Sequence, residues 1–360
     1  MTASDLARRR LCNQKLLRTG FRTPAEVVAW LGAVQAQDFA GATWAIGQRA
    51  RGLTAAAVVA AFDAGEILRT HLLRPTWHLV ARGDLRWMLA LSAPRVHAAN
   101  ASMYRRLGVD AGVVGRSQTV FNHALENHRS LTRKELAAAL KDAGIEAHGQ
   151  RLACIVMRAE LDAVLCSGPV HGKQFTYALV DERTPPAPPL DDDEALATLA
   201  VRYFRSHGPA TLRDFGWWSG LTRQQVRTAV AAAGRALELC TGDDLAYWQA
   251  PASRIAAVTS PTAHLLPNYD EYFVAYRDRA VLGAASRLRA STGVRFDAFG
   301  HLLAVDGLLA GTWRSPGSAG HEALTVAPHW RLTHAEYAAV SAAAAAFGAF
   351  RGVDSTIAWV

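Results

Sequence analysis

"LTRKELAAALKDAGIEAHGQRLACIVMRAELDAVLCSGPVHGKQFTYALV", residues 131–180, carries the pattern on which the fold turns. Thr132 precedes a helix-forming run, Glu135 stands three positions on and Gly144 follows. A capping box thus opens this helix and a glycine closes it. From Gly149 apolar residues recur at three- and four-residue spacing, which predicts another helix. Two β-prone flanks around Gly168, Pro169 and Gly172 then predict a hairpin. Upstream, "SQTVFNHALEN" (117–127) supplies a leading helix.

Three helices and a hairpin make a winged helix, a helix-turn-helix relative common among DNA-binding proteins. The same rhythm recurs on both sides. Before it, "SDLARRRLCNQKLL", "TPAEVVAWLGAV" with Thr23 as N-cap and Pro24 at the first helical position, and "TAAAVVAAFDAG" read as helices. "EILRTHLLRPTWHLVA" reads as their wing. After it come "DDEALATLAVRYFRSHG", "TLRDFGWWSG", "LTRQQVRTAVAAAG" and the short hairpin "ALELCTGDDLAYW". "DERTPPAPPLDDDE" is a proline-rich acidic connector without core-forming residues. Beyond about residue 255 strands and turns dominate, in "IAAVTSPTAHLLPNYDEYFVAYRDRAVL", "RFDAFGHLLAVDGLLAGTWRS" and "EALTVAPHW", before a closing helix in "THAEYAAVSAAAAAFGAF".

The expected architecture is mainly α with short β-hairpins, an α+β chain. Winged helices are expected over 1–112, 113–182 and 191–254, with a connector at 183–190 and a mixed C-terminal module over 255–360. Together they are expected to form a curved DNA-binding scaffold with a channel.

Half of the 360 residues are hydrophobic and 19% are charged, as in a folded protein with a sizeable core. No apolar run reaches the roughly 18 residues of a membrane span, and the N-terminus has no apolar central segment of a secretory signal. A cytoplasmic protein with no membrane partner is expected. Cys12, Cys154, Cys166 and Cys240 never form a CxxC pair, so neither a disulfide framework nor a zinc site is expected. The net charge of +8 favours a polyanionic partner. Only four lysines occur beside many arginines and alanines, a pattern that also reflects codon usage in a GC-rich genome, so charge alone leaves the partner open.

"GAVQAQDFAG" (32–41) places Gln35 and Gln37 at a helix end among apolar neighbours. An amide neither gives up nor accepts a proton near neutrality, so chemistry by this pair needs a held water and little help from a base. In an extended chain, side chains two apart share a face; on a helix they diverge. The pair converges most easily if the helix relaxes near Gly32. Read blandly, both amides satisfy backbone groups. No phosphate loop, GxSxG or HExxH competes as a site. His71 and His78 are poor joint ligands, Asp38 suits a cap for the next helix, and Trp217 and Trp218 suit a surface and a core position. Asp270, Tyr272, Tyr276, Arg277 and Arg279 form a dense cluster, read either as a turn held by an Asp–Arg pair or as a DNA-facing surface.

Three expected winged helices, with "VQAQD" in the first and "LRTHLLRPTWHLV" on its wing, together with "LLPNYDEYFVAYRDR" and "VDGLLAGTWR" further on, resemble the bacterial winged-helix DNA glycosylases of the AlkZ type over essentially the whole chain. In that family a Gln-hydrophobic-Gln motif is catalytic. The resemblance assigns this role to Gln35 and Gln37, with Ala36 as a small central residue. A sister branch carries Asp at the second position. Gln there places this chain with the branch linked to self-resistance in makers of DNA-alkylating antibiotics. The resemblance implies hydrolysis of the N-glycosidic bond of N7- or N3-alkylated purines in double-stranded DNA, with interstrand-crosslink unhooking in some members. No metal or other cofactor is implied, and a monomer is expected. Arg74, Lys173, Arg277, Arg279 and Arg314 are the candidate phosphate contacts. A winged-helix transcriptional regulator or a damage-binding protein without turnover is the alternative.

Overall fold

The computed structural model describes residues 1–188, 190–242, 245–251, 259–279, 282, 300–315 and 321–360. Threonine caps set its frame. Thr2, Thr23 and Thr54 accept from the backbone N–H three residues on and open α1 (Ala3–Asn13), α2 (Pro24–Leu31) and, after α3 (Phe39–Gly47), α4 (Ala55–Asp63). Three short strands, β1 (Val34–Gln35), β2 (Ile67–Leu72) and β3 (Thr76–Ala81), pair antiparallel in the order β1-β3-β2. The 22-residue α5 (Leu85–Arg106) follows.

The next segment places α6 (Ala111–Leu125), β4 (Leu131–Thr132), α7 (Arg133–Asp142), α8 (Gly149–Leu161), β5 (Leu165–Ser167) and β6 (Thr176–Leu179) in sequence, with the sheet order β4-β6-β5. Its capping box is the expected one: Thr132 accepts from Glu135 N–H, and the Glu135 side chain accepts from Thr132 N–H. The short α9 (Val180–Arg183) leads to α10 (Asp192–His207), α11 (Leu212–Ser219) and α12 (Arg223–Ala233), and then to the hairpin of β7 (Glu238–Gly242) and β8 (Leu245–Gln249).

The C-terminal part comprises β9 (Ala263–Leu266), α13 (Glu271–Val274), β10 (Leu302–Val305), β11 (Leu308–Arg314), β12 (His321–Pro328), α14 (His334–Arg351) and β13 (Asp354–Trp359). Its sheet runs β13-β12-β11-β10-β9, with only the β12–β13 pair parallel. The architecture is therefore mixed α/β. The expectations for "RFDAF" (295–299) and for the boundary at 254–255 lie outside the described residues.

Two hydrophobic cores meet at the segment that holds the glutamines. One joins Leu68 and Val80 of the first hairpin to Phe121, Ile155, Phe204, Trp218 and Tyr276. The other joins Val28, Leu31 and Trp44 to Leu265, Val326, Val340 and Phe350 of the C-terminal part. Ala33 belongs to the first core, Val34 and Ala36 to the second. Alternation along an extended chain therefore turns Val34 and Ala36 to one side and Gln35 to the other. Burial of the Val34 side chain contributes about 1.5–3 kcal/mol and the Ala36 methyl about 0.8 kcal/mol, which favours this orientation of the strand.

Candidate active site

Helix α2 stops at Gly32, whose φ of 84° suits glycine. A Cβ there would also stand 3.4 Å from the Trp218 ring. The chain then extends through Val34 and Gln35 as β1. Gln35 lies opposite His78 in the β1–β3 ladder, and Ala36 N–H donates to the Trp77 carbonyl at 2.8 Å. Gln35 is 7% exposed. Its backbone N–H donates to Glu271 Oε1 at 2.9 Å, and its side-chain Oε1 accepts from Arg74 Nη2 at 3.0 Å. Gln37 sits past the ladder in a bend, exposed, with no side-chain hydrogen bond among the described residues. Asp38 caps α3 by accepting from Gly41 N–H at 3.0 Å.

A buried carboxylate supports the strand. Glu271 Oε1 receives Gln35 N–H, and Oε2 receives Trp218 Nε1–H at 3.0 Å. His207 Nε2 lies 3.4 Å from the same Oε2. Burial pushes the Glu271 carboxyl up, but His207 and the Gln35 N–H outweigh it and hold the group below the usual carboxylate range. Both oxygens are engaged, so Glu271 holds the strand and is not a free base. His78, opposite Gln35, is pushed down to about 4 by burial and by the Arg74 cation, and is neutral at physiological pH. Arg74 emerges from a turn in which Leu73 takes a left-handed φ of 60°, a conformation that costs a branched residue about 1–2 kcal/mol. The α11–α12 turn presses on it: a Cβ on Gly220 would lie 2.5 Å from the Leu73 carbonyl oxygen.

The sequence candidates scatter around this centre. Arg74 touches Gln35, and it shares Trp217 with Arg277, each guanidinium lying 5.5 Å from the ring centroid. Arg277 is exposed. Arg279 is half-buried, with its guanidinium 4.4 Å from the Phe273 ring centroid and its Nε donating to the Phe273 carbonyl. Lys173 is exposed in the β5–β6 loop. Two residues on, Phe175 meets Phe39 at 5.1 Å between ring centroids, which brings this loop beside the start of α3. Arg314 is exposed at the end of β11 and makes no hydrogen bond or ion pair with the glutamine segment. Trp218 is fully buried and Trp217 is 37% exposed, as expected. Asp270 does pair with an arginine, but with distant Arg49.

Glu271 and Arg69 were missed by sequence reasoning. Arg69 donates from Nε to the Ala36 carbonyl at 3.1 Å, with its guanidinium carbon 4.0 Å from the Trp77 ring centroid and 4.8 Å from that of Phe175. An arginine inside the strand-like "EILRTHLL" was a usable signal. Glu271, hidden in a charged run, offered none. Among the described residues no group of three or more His, Cys, Asp or Glu is placed to hold a metal ion, and no helix is long and apolar enough to cross a membrane. The assembly consists of two neutral amides, an anion with both oxygens in use and a cation fixed on one amide. It can position a small molecule, but it has no free strong acid or base.

None of the curated proteins matches the chain. Among solved structures, the Streptomyces sahachiroi DNA glycosylase AlkZ superposes with a TM-score of 0.80 at 22% identity, covering 100% of both chains, a likeness of fold. The family model described as DNA glycosylase AlkZ-like matches residues 28–350 and so takes in the glutamine strand, Arg74 and Glu271. The chain belongs to the AlkZ-like DNA glycosylase family and is a DNA glycosylase, an enzyme of DNA repair.

Proposed function

We propose that the chain hydrolyses the N-glycosidic bond of N7- or N3-alkylated purines in duplex DNA, with Gln35 and Gln37 holding the attacking water beside C1′. One observation carries this reading: Gln37 is exposed and unpartnered among the described residues, two positions from a Gln35 whose Oε1 is already held by Arg74. Alkylation at a ring nitrogen makes the base cationic. The C1′–N bond pair can then leave with the base, which departs neutral without a protonating acid. Glycosidic cleavage develops oxocarbenium character at the sugar, so a weak nucleophile suffices once it is in place. Water adds to C1′ and releases its proton to solvent. Positioning of this kind lowers a barrier by several kcal/mol. A normal base, neutral and a poor leaving group, is left intact.

An exposed Gln37 also suits a base tethered to the opposite strand, which cannot swing into a closed pocket. Crosslink unhooking and self-resistance to alkylating natural products belong to the same proposal, as do three winged-helix units, phosphate contacts at Arg74, Lys173, Arg277, Arg279 and Arg314, and a monomer acting in the cytoplasm. The test is to incubate the purified protein with duplex DNA carrying 7-methylguanine or a bulkier N7 adduct, with a chelator present. Free modified base and an abasic site are expected. No release from either adduct, together with tight binding to one undamaged operator sequence, would establish the regulator reading instead.

A further inference from the structure

We propose that a groove between α5, α11 and α12 binds the sugar-phosphate backbone of the duplex flanking the lesion, an inference that rests on the alkylpurine reading above. The groove measures about 930 Å³ and five arginines line it: Arg95, Arg213, Arg223, Arg227 and Arg277, with Trp217 as a wall. No Asp or Glu is among its lining residues. Arg213, Arg223, Arg227 and Arg277 are exposed, and none makes an ion pair among the described residues. Arg95 spends only its Nε, on the Gly220 carbonyl at 2.5 Å. A cleft lined by one sign of charge focuses its field and concentrates a counter-ion there.

Contiguity with the catalytic strand identifies the ligand. The Gly220 turn that closes the groove sits on Leu73 and Arg74, with a Cβ at that glycine reaching 3.5 Å from Arg74 Cγ. Arg74 in turn holds Gln35. Trp217 stands between Arg74 and Arg277, with its indole N–H already given to the Val274 carbonyl at 3.0 Å. A strand whose damaged sugar sits at the glutamines therefore meets Arg74 first and the groove next. Arg223 and Arg227, four apart on α12, share one helix face about 5–6 Å apart at Cβ, and lie along the path of the leaving strand. Guanidinium groups donate and do not accept, which suits phosphate oxygens and makes the contact independent of sequence.

The test is the salt dependence of binding to a short undamaged duplex. Each lost phosphate contact flattens the slope of log K against log salt by about 0.9. The Arg213→Ala/Arg227→Ala double variant should flatten it by about 1.8, and Arg213→Lys/Arg227→Lys should restore it. A charge-matched control, Arg116→Ala/Arg331→Ala, should leave it as in the wild type. If the double variant melts early, Arg227→Gln alone should still flatten the slope by about 0.9. An unchanged slope in the groove variants, or equal flattening in the control, overturns the proposal. Base release from methylated duplex is scored separately: a wild type that releases nothing yet shows the slope change refutes the catalytic reading and keeps the groove.

Discussion

Gln37 and Gln35 are chemically identical and differently held, so their variants should behave differently. Gln37 has no protein partner among the described residues, so under the proposed mechanism its loss removes only a contact to the attacking water. Gln37→Ala should slow single-turnover base release roughly 100-fold while affinity for undamaged duplex stays near that of the wild type. Equal loss of affinity and thermal stability would place the amide in the scaffold. Gln35 is tied to Arg74, so its variants should also loosen the β2–β3 hairpin. Amides do not titrate, and the His78 proton is lost well below neutrality. The rate at saturating protein should therefore be flat from about pH 6 to 9. A bell-shaped profile in that range would require an acid or base outside the present site.

The element that matters most is the two-residue strand β1, and its orientation is imposed from two directions. The β2–β3 hairpin pairs with one edge, while Glu271, the first residue of α13, takes the Gln35 N–H and Trp218 of α11 on its two oxygens. Glu271→Gln keeps the shape but turns one acceptor into a donor, leaving a buried N–H unsatisfied at a cost of about 1.5–3 kcal/mol. Slower base release and a lower unfolding midpoint are expected together. Gly220→Ala tests the same coupling from the groove side, with every site side chain left in place. The new Cβ would crowd the Leu73 carbonyl at a residue with φ of 72°. The clash should displace the Arg74 turn and reduce base release at least tenfold. A fully active Gly220→Ala enzyme would show that this turn does not set the site.

At the scale of the molecule, one buried ion pair ties the N-terminal and C-terminal parts. Arg49 holds Asp270 with two hydrogen bonds at 2.7 and 2.9 Å and also donates to Gln14 Oε1, while Gln14 donates to the Glu271 carbonyl. Removing one partner leaves a buried charge, so Arg49→Met should cost about 3–5 kcal/mol, read by denaturant unfolding. Two histidines, the buried His78 and the half-buried His264, set a pH limit. His78 and His264 are pushed down to about 4, so between there and their ordinary 6.5 the unfolded chain binds protons that the folded chain does not. Stability should fall as pH drops through that window, by an order of about 3 kcal/mol for each histidine. Thermal midpoints across it, with a shallower decline in His264→Leu, check this.

What could be read from the sequence is what is local in the chain. Helix caps span a few residues, so the starts of α2 and α7 were legible in the Thr23–Pro24 pair and in the Thr132–Glu135 box, while the Glu26 half of the α2 box appeared only in the structure. Gly32 marked the end of α2 and the extended segment after it, and the glutamine pair stood out because amides are unexpected among apolar neighbours. The N-cap role of Asp38 was equally local. Strand β13 was not legible: its pattern alternates weakly, and it forms only because β12 offers an edge. Glu271 escaped notice because its partner Gln35 lies 236 residues away, and no local spacing records that a carboxylate is buried. The same holds for Asp270, whose arginine came from α3's C-terminal end and not from its own turn. Sequence alone determined the locally capped helices and the chemically unusual pair. The tertiary structure decided which side Gln35 faces and what holds it, because burial and long-range hydrogen bonding exist only once the two cores have closed around the strand.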